Sequence, residues 1–207
     1  MADNFDPQAG NFKTSSETII HDHVPAGYTS DRFYLDDYLS AGLCIASGSR
    51  ACPALTQAAL NALNQNGAYL VNYAGHGSVN YWASEQLWIN QDILSLSNSG
   101  KLPIILSMTC LDGYWLHPSI GPSLAEDFIR TAQNGAVATF SPTGLGVASG
   151  HDRLWSGFYD SVFQDGATRL YQAALAGKLE IYASGLNFDL LHTYTIFGDP
   201  SLRLPAP

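Results

Sequence analysis

His76 stands between two glycines in Ala74-Gly75-His76-Gly77-Ser78, directly after the apolar run Ala68-Tyr69-Leu70-Val71-Asn72-Tyr73. Cys110 lies 34 residues further on, just after a second apolar run over residues 102–108. A thiol is a strong nucleophile only as thiolate, and a nearby imidazole supplies the base or cation that makes it one. The same imidazole can hand a proton to a leaving amine. The glycines leave the backbone around His76 bare. The N–H groups of Gly77 and Cys110 are therefore candidate donors to the oxyanion of a tetrahedral intermediate. Each residue alone has a plainer reading. A cysteine after a buried strand is commonly inert core, and Gly-His-Gly is commonly a turn. Both together at strand ends point to acyl transfer.

Short apolar runs alternating with amphipathic helices must position this pair. Strands are expected at residues 32–35, 68–73, 102–108, 135–140 and 193–197, because these runs are near-continuously apolar, as strands covered on both faces are. Pro53 begins a helix that Gly67 stops, with Leu55, Ala59, Leu60 and Leu63 on one face. Ser123 and Glu126 form a capping box ahead of Phe128 and Ile129, with Gly135 as terminator. Leu154, Phe158 and Val162 share a face. Leu170, Ala174, Leu175, Leu179, Ile181 and Tyr182 are expected to make a wider one. The alternation implies right-handed crossovers and a three-layer α/β/α fold with a mainly parallel central sheet. Ligands of such sheets bind beyond the carboxyl ends of the strands, where His76 and Cys110 both fall.

Composition narrows the classes further. The 207 residues are 46% hydrophobic and 13% charged, which suits one domain over residues 1–207. No stretch approaches the ~18 apolar residues of a membrane span. Nine basic residues against eighteen acidic ones give a net charge of -9, with no basic cluster, so nucleic acid is excluded as a partner. The amino end has no basic start and no apolar core, so it is not a signal peptide. Cys44 and Cys52 lie eight apart in a Gly/Ser-rich loop, leaving Cys110 over. One local disulfide plus one reactive thiol suits an exported enzyme; three unrelated thiols are the alternative.

Other candidates carry plain readings. His21-Asp22-His23 has metal-like spacing, placed on a strand and read as an exposed turn without further ligands. His117 is a surface loop residue, His151 an N-terminal polar residue ahead of a helix, and His192 a packing residue of the last strand. Asp3, Asp6, Asp36 and Asp37 are acidic loop ends.

Three ordered segments then carry a resemblance. They are Asn72-Tyr73-Ala74-Gly75-His76-Gly77-Ser78, the Leu102-Pro103 strand ending at Cys110, and Ile196-Phe197-Gly198-Asp199-Pro200-Ser201-Leu202. Together they resemble the catalytic domain of gingipains, cysteine peptidases of the caspase-like clan. The resemblance implies a caspase-like fold and an endopeptidase acting on protein or peptide substrates through a His76/Cys110 dyad. It implies that Gly77 contributes to the oxyanion hole, and that imidazole and thiol need not be hydrogen-bonded to each other. No cofactor is implied for catalysis and no metal ligands are assigned, although structural calcium belongs to the family. The loop of residues 141–147 is expected to line the primary specificity pocket through Thr143, Gly144 and Val147. Val147 stands where arginine-specific members carry Trp, so strict arginine preference is not expected. A secreted or cell-surface location follows. The pattern also places a first strand ahead of Ala2, so an N-terminally truncated catalytic domain is expected, with a missing N-terminal segment and an open position beside the strand that carries His76. A sortase-like transpeptidase and an inactive surface-binding module are the alternatives.

Overall fold

In the computed structural model, which describes residues 1–45 and 48–205, the chain runs α1 (Phe12–His23), α2 (Leu35–Ser40), α3 (Pro53–Gln65), β1 (Leu70–Ala74), β2 (Gly77–Ser78), β3 (Tyr81–Trp82) and β4 (Trp88–Ile89). It continues through α4 (Asn90–Leu94), β5 (Ile104–Met108), α5 (Leu124–Arg130), β6 (Ala138–Pro142), α6 (Ala148–Phe163), α7 (Leu170–Ser184), α8 (Asp189–Thr193) and β7 (Tyr194–Gly198). The main sheet has the order β1-β5-β6-β7. Its first three strands are parallel and β7 closes it antiparallel to β6. Every residue of β5 and β6 is buried, as strands between two layers must be.

One layer packs Ile19 of α1 and Leu154, Phe158 and Val162 of α6 against Leu106 and Phe140. The opposite layer packs Leu55 and Leu60 of α3 and Phe128 of α5 against Ile105. The β2-β3-β4 hairpin unit inserts a column of aromatic rings there. Tyr73 and Trp82 stack at 4.4 Å, and Trp82 and Trp88 at 5.3 Å. Each such pair adds ~0.5–1.5 kcal/mol beyond its buried area.

Several elements differ from the sequence reading. Residues 32–35 form no strand: Tyr34 alone pairs, with Ala2, and α2 begins at Leu35, so Asp36 and Asp37 lie in a helical first turn. His21-Asp22-His23 is the end of α1 rather than a strand or turn, and His23 contacts Asp160. His151 sits inside α6 and is buried, while His192 is exposed on α8, ahead of β7. The α5 helix ends at Arg130, five residues before Gly135. In α7 the buried face is Leu170, Ala173, Ala174, Gly177 and Ile181, whereas Leu175, Leu179 and Tyr182 are exposed. Small residues decide that choice: a Cβ on Gly177 would lie 2.3 Å from Leu154 O, so α6 and α7 approach backbone to backbone.

The first residues lie within the sheet. Ala2 pairs in parallel with both Tyr34 and Ala74, its N–H donating to Phe33 O at 3.1 Å and Asp3 N–H donating to Ala74 O at 2.9 Å. Between β1 and residues 27–33 lies a cavity of about 610 Å³ lined by Ile20, Tyr28, Phe33, Leu63, Asn72 and Tyr159. Cys44 and Cys52 are disulfide-bonded with Cα atoms 4.5 Å apart; of their loop, residues 46 and 47 lie outside the described residues, as do 206 and 207. Among the described residues no helix is long and apolar enough to cross a membrane.

Candidate active site

The strands β1 and β5 are neighbours in register, Ala74 opposite Met108, so the chain leaves both at one rim. The glycines then bring the two loops into contact. A Cβ on Gly75 would lie 2.4 Å from Asp3 Cβ and 2.5 Å from Tyr73 Oη. A Cβ on Gly77 would lie 2.3 Å from Thr109 Oγ1 and 3.1 Å from Cys110 O. Any side chain at either place would push the His76 loop off its supports or away from Cys110.

The His76 backbone is tied down on both sides. Its N–H donates to Asp3 Oδ2 at 3.0 Å. Its carbonyl accepts from Tyr73 Oη at 2.6 Å and from Ala83 N–H at 2.8 Å. Asp3 is buried, and burial pushes its carboxyl up to about 6, against the pull of the His76 and Asn4 N–H groups. The imidazole itself is half exposed, stands edge-on to Phe12 at 5.5 Å, and places Nε2 3.4 Å from Asp6 Oδ2.

Cys110 is half-buried, and its sulfur accepts the Gly146 N–H at 3.4 Å. Burial raises the thiol above its ordinary value; the Gly146 N–H works against that and the Asp112 carboxyl adds to it. Asp112 is fully buried, with one carboxylate oxygen accepting Trp82 Nε1–H at 2.9 Å. Burial moves it up to about 7, opposed by the Ser107, Trp82 and Ser141 donors. Leu111, next to the thiol, holds φ at 61°, a left-handed geometry that costs a non-glycine residue of order 1 kcal/mol. Its N–H is fixed to Gly144 O at 3.0 Å. Among the described hydrogen bonds the Cys110 N–H meets no acceptor, and none joins imidazole to thiol.

The loop of residues 143–147 is brought against the thiol, but its members differ. Thr143 spends both its N–H and its Oγ1 on Thr193 O, at 2.8 and 2.9 Å. Gly144 fits against Thr193 Cγ2, 2.6 Å from where a Cβ would stand. Both hold the loop, while Val147 is 49% exposed and Leu145 69%. His117 lies in the loop after Cys110, where its Nδ1 accepts the Ser119 and Ile120 N–H groups.

A sequence model of peptidase family C25 matches residues 1–205. The chain belongs to peptidase family C25. Among the curated relatives of this C25 chain, gingipain R2 of Porphyromonas gingivalis is 28% identical over 153 residues, 66% of this chain and 19% of the relative. Gingipain R1 of the same organism is 28% identical over 153 residues and is covered to 14%. The chain thus spans about a fifth or less of the curated relatives it matches. The crystal structure of the Arg specific cysteine proteinase gingipain R superposes with a TM-score of 0.77 at 23% identity, covering 98% of this chain and 46% of that one. The complex of Porphyromonas gingivalis RgpB pro- and mature domains gives 0.72 at 21% identity, covering 98% and 45%. The fold is therefore the caspase-like α/β fold of the gingipain family.

Sequence reasoning missed Asp3 and Asp6, both filed as loop acids, and His151 and Gly146. The spacing Asp3-x-x-Asp6 was visible. Nothing in it says that residues 1–3 enter the sheet beside β1, which is what carries both carboxylates to His76.

Proposed function

We propose that this chain is a cysteine endopeptidase whose nucleophile is Cys110 and whose general acid–base is His76. The observation that carries the reading is the contact between the Gly77 and Cys110 loops at the adjoining ends of β1 and β5. The Cys110 thiolate attacks the peptide carbonyl carbon, and the oxyanion takes hydrogen bonds from the Gly77 and Cys110 N–H groups. Collapse breaks the C–N bond while His76 protonates the leaving amine. Water, giving its proton to His76, then cleaves the thioester and frees the thiol. Asp6 orients the imidazole, and Asp3 fixes the height of its backbone.

Among the described residues no three His, Cys, Asp or Glu side chains group together, and no step is routed through calcium. The exposed Leu145 and Val147 beside Gly146 favour an apolar substrate side chain next to the scissile bond over a cation. The Cys44–Cys52 disulfide favours action outside the reducing cytoplasm. A transpeptidase would share the thioester and differ in its acceptor; no observation favours it or an inactive module. The test is a positional-scanning library of fluorogenic peptides. Hydrolysis by the wild type, lost in Cys110→Ala and His76→Ala, supports the reading, and hydrolysis at the wild-type rate by Cys110→Ala refutes it. A profile dominated by Arg refutes the apolar preference alone.

A further inference from the structure

His151 is a buried polar residue that the mechanism above does not use. It lies in the first turns of α6, only 6% exposed, with its N–H donating to Val147 O at 3.1 Å. Its Nε2 has no hydrogen-bond partner among the described residues. Burying an unpartnered imidazole nitrogen costs free energy that an apolar ring of the same shape would not, so such a group in a core asks for a reason. The ring stands edge-on to Tyr194 at 5.7 Å, and Tyr194 Oη donates to Ser107 O of β5 at 2.8 Å. The imidazole therefore rests on the sheet. Gly146 rests on the imidazole: a Cβ there would lie 2.3 Å from His151 Nε2 and 3.0 Å from Cε1. The N–H of Gly146 is in turn the donor to Cys110 Sγ.

We infer that His151 is a positioning residue whose ring sets the height of the Gly146 peptide, and thereby holds the Gly146 N–H on the Cys110 sulfur. A donor held there favours thiolate over thiol. The consequence for turnover rests on the peptidase reading; the consequence for thiol acidity does not. Gly146 does not have a left-handed φ, so the bar to a side chain there is steric, set mainly by the ring, with Leu190 Cδ2 3.1 Å from the same point.

The experiment is the pH profile of Cys110 alkylation by iodoacetamide, followed by intact-protein mass, in wild type, His151→Ala and His151→Phe. Alkylation needs no peptidase activity, so peptide hydrolysis by the wild type judges the functional reading separately. In His151→Ala the Gly146 peptide settles away from sulfur, the profile moves to higher pH, and alkylation at pH 7.5 slows by at least about threefold. The Phe ring keeps the support, and His151→Phe follows the wild-type profile. A wild-type profile in folded His151→Ala overturns the inference, as does an equal loss in folded His151→Phe. Should His151→Ala fail to fold, Gly146→Ala and the double variant Gly146→Ala/His151→Ala decide. The single variant alkylates slowly because its methyl meets the ring, and the double variant recovers because the ring is gone. A double variant as slow as the single one overturns the inference.

Discussion

The two loops that meet at the proposed site are held in opposite ways. The His76 loop hangs from polar tethers: the Asp3 carboxylate takes its N–H, and Tyr73 Oη and Ala83 N–H take its carbonyl. Its imidazole reaches half into solvent. On the other side Cys110 is half-buried and its sulfur makes two weak hydrogen bonds, accepting the Gly146 N–H at 3.4 Å and donating to the Gly146 carbonyl at 3.7 Å, and shape rather than charge keeps Gly146 in place. A proton-transfer group is thus placed by directional bonds to its backbone, and a nucleophile by close packing that half-buries it. Each side rests on a buried titratable group, the Asp3 carboxyl under His76 and the uncharged His151 imidazole under Cys110.

The contact between the loops is where the comparison breaks most completely. Gly77→Val drives a branched side chain into Thr109 Oγ1 and the Cys110 carbonyl. It should lower kcat/KM by at least about 100-fold through the displaced oxyanion donor and cost ~1–3 kcal/mol of stability from overpacking, read by peptide kinetics and urea unfolding. Full activity in that variant would remove Gly77 from the site.

Asp3→Ala strands the part-buried His76 N–H. The expected cost is ~1–3 kcal/mol in urea unfolding, together with a fall in kcat at little change in KM, because the tether positions the imidazole and touches no substrate. An unchanged kcat would make Asp3 a purely structural acid.

The two supports also titrate in opposite directions. Asp3 in the folded chain sits at about 6, above its ordinary 3.8. The stability this contributes is full below pH 3.8 and is lost as pH rises through 6. His151 sits at about 4, below its ordinary 6.5. Its contribution is full above pH 6.5 and is lost as pH falls toward 4. Relative to wild type, Asp3→Asn should therefore gain stability as pH rises from 4 to 7, and His151→Phe as pH falls over the same range, each on the order of 2 kcal/mol. Urea unfolding at pH 4.5 and 7.5 measures both, and equal slopes for the two variants would remove the contrast.

The smallest effect on activity lies away from both loops. Reducing the Cys44–Cys52 bridge opens a short loop and should cost about 2 kcal/mol by the chain-entropy model, with peptidase activity kept. Alkylation of both cysteines in unreduced protein would contradict the pairing.

The thiol side was the more legible one in the sequence. Residues 104–108 and 138–142 carry no charge and interrupt their apolar side chains only with the small hydroxyls of Ser107, Thr139 and Ser141, a pattern that suits a strand covered on both faces, and that places Cys110 at a sheet rim. The His76 side was half legible: its strand and glycines were plain, its tethers were not. Asp3 reaches His76 through a single pairing of Ala2 with two partners, a long-range event with no local periodicity to announce it. The same reason defeats residues 32–35, which look like a strand and find one pairing residue. In α7, apolar residues surround the helix, so periodicity cannot choose a face; Gly157 and Gly177 choose it by letting two backbones touch. His151 was invisible because its role depends on a glycine five residues earlier that nothing but the folded loop brings under its ring.

The central claim is that Cys110 attacks with the help of His76. Mass spectrometry of the protein treated with a peptidyl acyloxymethyl ketone of apolar sequence tests it directly, in wild type, His76→Ala and Cys110→Ala. The account predicts one covalent adduct on Cys110 in the wild type, forming at least about 100 times more slowly in His76→Ala and absent in Cys110→Ala. An adduct on Cys110 that forms equally fast without His76, or one that forms elsewhere while peptide hydrolysis persists, would contradict it.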